Sequence, residues 1–189
     1  MSARLPLSLK AGALISAVFI ALALLSLLWT PWDTDGIAIV ARFEPVSARH
    51  WLGTDQLGRD LLSMILRGSA TSLGVALFAI ALGATVGCTL GLVAAAAGGL
   101  LHEIVMRTND VVFAFPALLL AVLLAASLGP GALNAILAIG LFAVPVFARI
   151  ARAEALNLWS RDFVLAARAA GKGRLRITFE HILPNLAGA

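Results

Sequence analysis

The chain has 189 residues, 61% of them hydrophobic and 13% charged, against roughly 45–50% and about 25% in soluble domains. With a mean hydropathy of +0.99, a globule of this size has too little interior for its apolar side chains. Lipid must solvate many of them, and an ordinary soluble domain is excluded. The single Cys88 excludes an intramolecular disulfide framework, and three dispersed histidines offer no metal-ligand spacing. The net charge of +4 would point to nucleic acid in a soluble protein; here it follows from membrane topology, and no nucleic-acid partner is expected.

Charges are sparse enough that membrane spans are read from the gaps between them. After a cytoplasmic N-terminus (1–10), residues 11–29 form the first span, with 18 uncharged residues from 11 to 28, about 27 Å of helix. A cleaved signal peptide is disfavoured, because the run exceeds a usual h-region and Trp29-Thr30-Pro31-Trp32 supplies no small-x-small site. Residues 30–68 form an outer loop. In it, Leu61, Leu62, Ile65 and Leu66 share a face, predicting a short interfacial helix, with Thr54, Asp55 or Asp60 as caps. The second span is 69–97, followed by an inner loop at 98–110. Gly129-Pro130-Gly131 divides the next uncharged stretch into spans at 111–128 and 132–148. Residues 149–189 form a last inner segment. The fold class is therefore an all-α integral membrane protein with four transmembrane helices.

Lys and Arg counts set the orientation. With the N-terminus inside, inner segments carry ten of them (Arg4, Lys10, Arg107, Arg149, Arg152, Arg161, Arg168, Lys172, Arg174 and Arg176) and the outer loop four. Both termini of the chain are expected in the cytoplasm. Trp29, Trp32 and Trp159 fall at plausible membrane interfaces.

Gly83, Gly87 and Gly91 stack on one face of the second span, a smooth stripe for close helix approach, either to another span of this chain or to a second subunit. No ionisable residue lies at the centre of any span, which argues against an ion-coupled carrier. Ser127 and Asn134 are read as interhelical hydrogen-bonding groups. In the outer loop, His50, Asp55 and Asp60 have no evident core to hold them for chemistry; an ion pair of Arg59 with Asp55 or Asp60 is the better reading.

In the last segment Asp162 can cap a helix that ends at Gly171, with a second short helix before Ile182-Leu183-Pro184. The result would be a compact knob, basic outside and apolar inside, with Arg174 an exposed charge. A loop lying on anionic lipid is the alternative. Around Gly171-Lys172 a Walker A motif fails, since Ala166 and Gly173 stand where Gly and Ser or Thr are needed. No catalytic constellation supports an integral membrane enzyme.

The segment Leu165-Ala166-Ala167-Arg168-Ala169-Ala170-Gly171, followed after nine residues by His181-Ile182-Leu183-Pro184, resembles the "EAA" loop of ABC-importer permeases. With Gly53-Thr54-Asp55-x-x-Gly58-Arg59-Asp60 outside and Asp110-x-x-x-x-x-Pro116 ahead of the third span, the chain resembles the C-type permease of the dipeptide/oligopeptide/nickel group.

The resemblance implies a bacterial inner-membrane subunit carrying short peptides, nickel or related solutes. Its implied partners are a second permease subunit, two ATPase subunits and a soluble substrate-binding protein. It implies no cofactor on this chain; ATP and magnesium would be held by the ATPases. Ala166, Ala167, Gly171, Leu175, His181, Leu183 and Pro184 would belong to a coupling loop seated on the ATPase, and Gly53, Thr54, Asp55, Gly58, Arg59 and Asp60 to an outer-loop motif. Leu165 stands where the family pattern has Glu, and that pattern continues through two spans beyond Ala189, so an N-terminal portion of a permease, or a truncated product, is expected. A small channel or membrane scaffold that needs no ATPase is the rival.

Overall fold

The computed structural model describes residues 6–186. Arg4, counted above among the inner cations, and residues 187–189 of the last segment lie outside the described residues. Regular structure among the described residues is helical throughout: α1 (Leu7–Leu28), a 3-10 turn (Ile39–Ala41), α2 (Leu61–Ala97), α3 (Gly99–Ala114), α4 (Ala117–Leu128), α5 (Ala132–Trp159), α6 (Asp162–Ala169), α7 (Arg174–Ile177), a π turn (Thr178–Ile182) and α8 (Leu183–Leu186). The chain divides into two compact units, Met1–Gly74 and Val75–Ala189; α2 runs through the division.

In the first unit α1 is apolar on all sides, with Leu14, Ile15, Val18, Phe19 and Leu24 exposed, as lipid rather than water requires. The loop that follows is pinned to the start of α2: the Trp32 N–H donates to Ser63 Oγ at 3.0 Å, and the Trp32 indole N–H to the Arg49 carbonyl at 3.1 Å. The interfacial helix expected at residues 61–66 is not separate. Leu61–Ala97 is one helix of 37 residues, about 55 Å at 1.5 Å per residue, because nothing between Arg67 and Gly74 breaks it and an isolated glycine does not.

In the second unit the glycine stripe of α2 lies against α5. A Cβ on Gly83 would sit 2.5 Å from Ala143 Cβ, and one on Gly87 would sit 2.5 Å from the Val144 carbonyl oxygen and 2.7 Å from Phe147 Cβ. Gly91 faces the Ala148 carbonyl in the same way, and Gly140 of α5 returns the contact against Leu82 and Ala79. Ala148, Ala151 and Ala155 continue the buried small-residue face of α5. Absent side chains let the two backbones meet.

Two expected boundaries are corrected. The inner loop expected at 98–110 is helical, as α3, and the span expected at 111–128 takes in only the last turn of α3, the break at Phe115-Pro116 and α4, the two helices meeting at 82°. Pro116 lacks the N–H that would continue α3, and its ring clashes with the carbonyl four residues back. Taken singly, α1, α2 and α5 are long and apolar enough to cross a membrane, with the bent pair as a fourth at most. The helix that holds the span at 132–148 does not end at Arg149 but continues as α5 to Trp159; Arg, Ala, Glu and Leu are strong helix formers whatever the solvent. Asp110 and Arg149 then pair across α3 and α5 at 2.8 Å, with the Arg149 guanidinium 4.6 Å from the centre of the Phe113 ring.

Ser127 and Asn134 also differ from expectation. The Ser127 hydroxyl donates within its own helix to Leu123 at 2.5 Å, while the Asn134 amide closes the turn by donating to the Gly129 carbonyl.

Gly87→Val should lower the unfolding midpoint of the detergent-solubilised protein, since overpacking a close contact costs about 1–3 kcal/mol. Gly74→Ala, where a Cβ meets nothing within 4 Å, should leave the midpoint unchanged or raise it. Thermal unfolding of both variants against wild type makes the comparison.

Candidate functional site

The loop after α5 is built around an apolar cluster. Ala155 and Trp159 at the end of α5 pack with Val164 and Ala167 of α6, Ile177 of α7 and Ile182 of the π turn, and Leu92, Ala95 and Ala96 of α2 close against them. Trp159 is thus part of a protein core and not an interfacial anchor. The alternation that buries Val164 and Ala167 leaves Leu165 54% exposed, and likewise Leu175 73% and Phe179 66%. The expected knob with apolar groups inside is therefore half right. Its core is apolar, but so is a ridge on its outer surface.

Gly171 is where the sequence places the turn, and its φ of +78° explains the residue. The Gly171 N–H donates to Arg168 at 2.9 Å and the Lys172 N–H to Ala167 at 3.1 Å, the paired bonds of a Schellman C-cap. Asp162 does not cap α6. The N-cap is Arg161, without a side-chain hydrogen bond, and Asp162 is the first helical residue, where its charge favours the helix dipole.

The expected stop at Pro184 is also absent, since helix continues through Leu183–Leu186. The π turn ahead of it, closed by the Leu183 N–H on Thr178, widens the backbone where a regular α-turn would meet the proline ring.

Of the family-matched residues, Ala167 is buried, His181 half-buried, and Ala166, Gly171, Leu175, Leu183 and Pro184 are exposed. His181 Nε2 lies 3.0 Å from Lys172 Nζ, so the two halves of the motif meet across Gly171 and Gly173. Lys172 also donates to Glu180 at 2.6 Å, and Arg176 donates to the other Glu180 oxygen at 2.6 Å. These bonds, from Lys172 first and Arg176 second, hold the Glu180 carboxyl down to about 2; Glu180 in turn raises Arg176.

Arg174 is exposed, as expected, but it is not without a partner. Its guanidinium reaches back to the end of α2 and donates to the carbonyls of Ala96 at 2.9 Å and Ala97 at 2.8 Å. Reading the sequence could not find this contact, because backbone carbonyls 77 and 78 residues away leave no trace in residue type.

The outer-loop motif is a self-contained turn. Asp60 is the N-cap of α2, its carboxylate accepting from the Ser63 N–H and hydroxyl, both at 2.8 Å, while His50 Nδ1 lies 3.0 Å from its other oxygen. Burial opposes the ionised form, but these bonds outweigh it and hold the Asp60 carboxyl below the usual range. Asp55 accepts from the Arg59 backbone and from its Nε and Nη2, at 2.7–2.9 Å. The Arg59 backbone bond leads in lowering its pKa.

Gly53 and Gly58 take φ of +77° and +75°, and a Cβ on either would meet the carbonyl of Glu44 or Ala38. Thr54 bonds the Ala41 carbonyl and receives the Glu44 N–H. The sequence reading denied these residues a core. The structure supplies one, burying His50, Thr54, Asp60 and Ser63, because backbone turns at the two glycines fold the loop over them. The bonds are internal to the motif, and among the described residues no group of three His, Cys, Asp or Glu could hold a metal ion.

Glu180 gives the loop a pH signature. A carboxyl whose folded pKa is depressed contributes stability above its unfolded value, and that contribution is lost as pH falls through the folded value. The window therefore runs from about 4.5 down to about 2. Glu180→Gln should speed hydrogen exchange of the 174–182 amides severalfold at pH 7, and the difference from wild type should shrink across that window. Exchange measured at matched pH tests it.

The comparisons with known proteins agree with this architecture. Residues 87–189 match the family model described as binding-protein-dependent transport system inner membrane component. A probable D,D-dipeptide transport system permease protein of Escherichia coli K12 is 40% identical over 174 residues, covering 90% of this chain and 58% of that protein. A glutathione transport system permease protein of Pectobacterium atrosepticum is 39% identical over 175 residues, covering 92% and 58%. A nickel transport system permease protein of Escherichia coli K12 is 36% identical over 182 residues, covering 96% and 64%. The chain thus spans about three-fifths of the length of these relatives. It belongs to the family of binding-protein-dependent transport system inner membrane components.

Proposed function

We propose that the chain is a membrane-spanning subunit of an ATP-driven importer for short peptides, and that the loop from Arg161 to Leu186 is where partner ATPases engage it. The observation that carries this reading is the loop itself. It has its own apolar core fastened to the ends of α2 and α5, yet it exposes Leu165, Leu175 and Phe179. A loop that merely lay in solvent would not need a core, and one that only rested on lipid would not need a Schellman turn to aim it.

Peptides are favoured over nickel because the relatives named for D,D-dipeptide and glutathione transport are 40% and 39% identical to this chain, against 36% for the nickel permease. In this reading a soluble binding protein delivers substrate to the outer face, and a second permease subunit completes the pathway. Two ATPases hold and hydrolyse ATP with magnesium. Their closure on nucleotide moves the loop, and the helices it is fastened to rock the pathway from outward- to inward-facing. The Leu at position 165 makes this part of the contact apolar and not ionic. The channel or scaffold reading needs no ATPase, which is what separates the two.

A tagged chain extracted in detergent should bring down an ATP-binding-cassette ATPase. Gly171→Val should weaken that association, because a non-glycine residue in the left-handed region costs about 1–2 kcal/mol and a β-branched one more. No neighbour within 4 Å obstructs the new side chain, so membrane insertion should survive. ATPase recovery and ATP-dependent uptake should each fall roughly tenfold, as 1.4 kcal/mol implies. Equal recovery and uptake for Gly171→Val and wild type at matched abundance would sink the docking assignment.

A further inference from the structure

We infer that Arg174 is a positioning residue that ties the loop to α2, so that movement of the loop reaches α2 as well as α5; the inference rests on the coupling reading above. The loop has two attachments of different kinds. Its apolar cluster joins it to Ala155 and Trp159 of α5 and also packs against Leu92, Ala95 and Ala96 of α2. The Arg174 guanidinium joins it to the last two carbonyls of α2. Those carbonyls have no partner within their helix, and a cation at a helix C-terminus is favoured by the dipole as well as by the hydrogen bonds.

Beyond α2 the His102 ring also comes near this end, its Nδ1 3.3 Å from the Ala94 carbonyl. Gly98 and Gly99 follow α2 with φ of +64° and +53°, and a Cβ on either would meet nothing within 4 Å. Arg174 is also the first residue of α7, with its own carbonyl accepting from Thr178 Oγ at 2.9 Å. One residue therefore grips the end of α2 with its side chain and starts, with its backbone, the helical segment that exposes Leu175 and Phe179. The grip lies at the surface, where it contributes little to stability, so its removal should leave the fold standing and alter transmission.

The native Cys88 of α2 lines a cavity with Leu175, Thr178 and Phe179 of the loop, so its accessibility reads how the loop sits against α2. It is half-buried and lies nine residues before Ala97. The experiment uses the transport complex purified from its own membrane. A small maleimide is the probe, and alkylation of the Cys88 peptide is followed by mass spectrometry without nucleotide and with ATP and vanadate.

In wild type the alkylation rate should differ at least threefold between the two states. In Arg174→Ala that difference should fall at least twofold, the apolar contact with α2 remaining, while ATPase recovery and hydrolysis stay near wild type. Arg174→Lys keeps a cationic donor and should restore the difference. Arg107→Ala, which removes an exposed cation from α3, should leave it intact. If Arg174→Ala does not accumulate, Arg174→Gln at matched abundance serves for the same comparison.

An unchanged nucleotide response in the Arg174 variants, or no response in wild type, overturns the inference while recovered ATPase leaves the coupling reading standing. Loss of response only in proportion to lost ATPase recovery also overturns it, assigning Arg174 to docking. Failure of wild type to recover any ATPase removes both.

Discussion

The second unit depends on the direct backbone contact of α2 with α5. Lipid tails solvate leucine as well as another helix does, so apolar burial alone gives two membrane helices little reason to associate. Close packing of small residues provides the reason here. Gly83, Gly87 and Gly91 on one side and Gly140, Ala148 and Ala151 on the other bring main chain against main chain. The same pair of helices, continued past its glycines, supplies Leu92, Ala95 and Ala96 from α2 and Ala155 and Trp159 from α5 to the core of the loop. The glycine contact thus sets the spacing of the two helix ends on which the loop is seated. A side chain added in the stripe would be felt at the loop without touching it.

Much of this architecture was legible in the sequence because hydropathy reports solvent, and solvent changes at a membrane boundary. The long uncharged stretches named the apolar helices correctly. Hydropathy is silent about backbone continuity, however, and the errors lie there. It read most of α3 as a loop and ran the end of α3 into α4, which Pro116 separates. It ended a helix at Arg149, although α5 runs on through charged residues to Trp159. It also detached residues 61–66 from a helix to which they belong. Pro184 erred in the opposite sense. As punctuation it reads as a stop, but a π turn ahead of it lets the helix pass.

The candidate site was legible where conformation itself requires a residue type. Gly171, Gly53 and Gly58 all adopt φ near +77°, a region open to glycine and costly to others, so their spacing carried the turn geometry. Asp60 as a cap and Asp55 with Arg59 as a pair followed from residue chemistry at short range. What escaped were contacts between distant segments. Nothing in the type of residue 174 says that its partners are carbonyls of α2, and nothing in His50 says that a folded loop buries it against Asp60. Gly140 escaped because a single glycine carries no repeat; its meaning comes from the stripe it faces.

The account stands on the loop from Arg161 to Leu186 being cytoplasmic, since only there can it meet an ATPase. Single cysteines placed in a Cys88-free chain and treated from outside intact cells with a membrane-impermeant maleimide test this most directly. The account predicts labelling at Ser47→Cys and none at Ser160→Cys until the membrane is opened. Labelling at position 160 in intact cells, with position 47 protected, would contradict it.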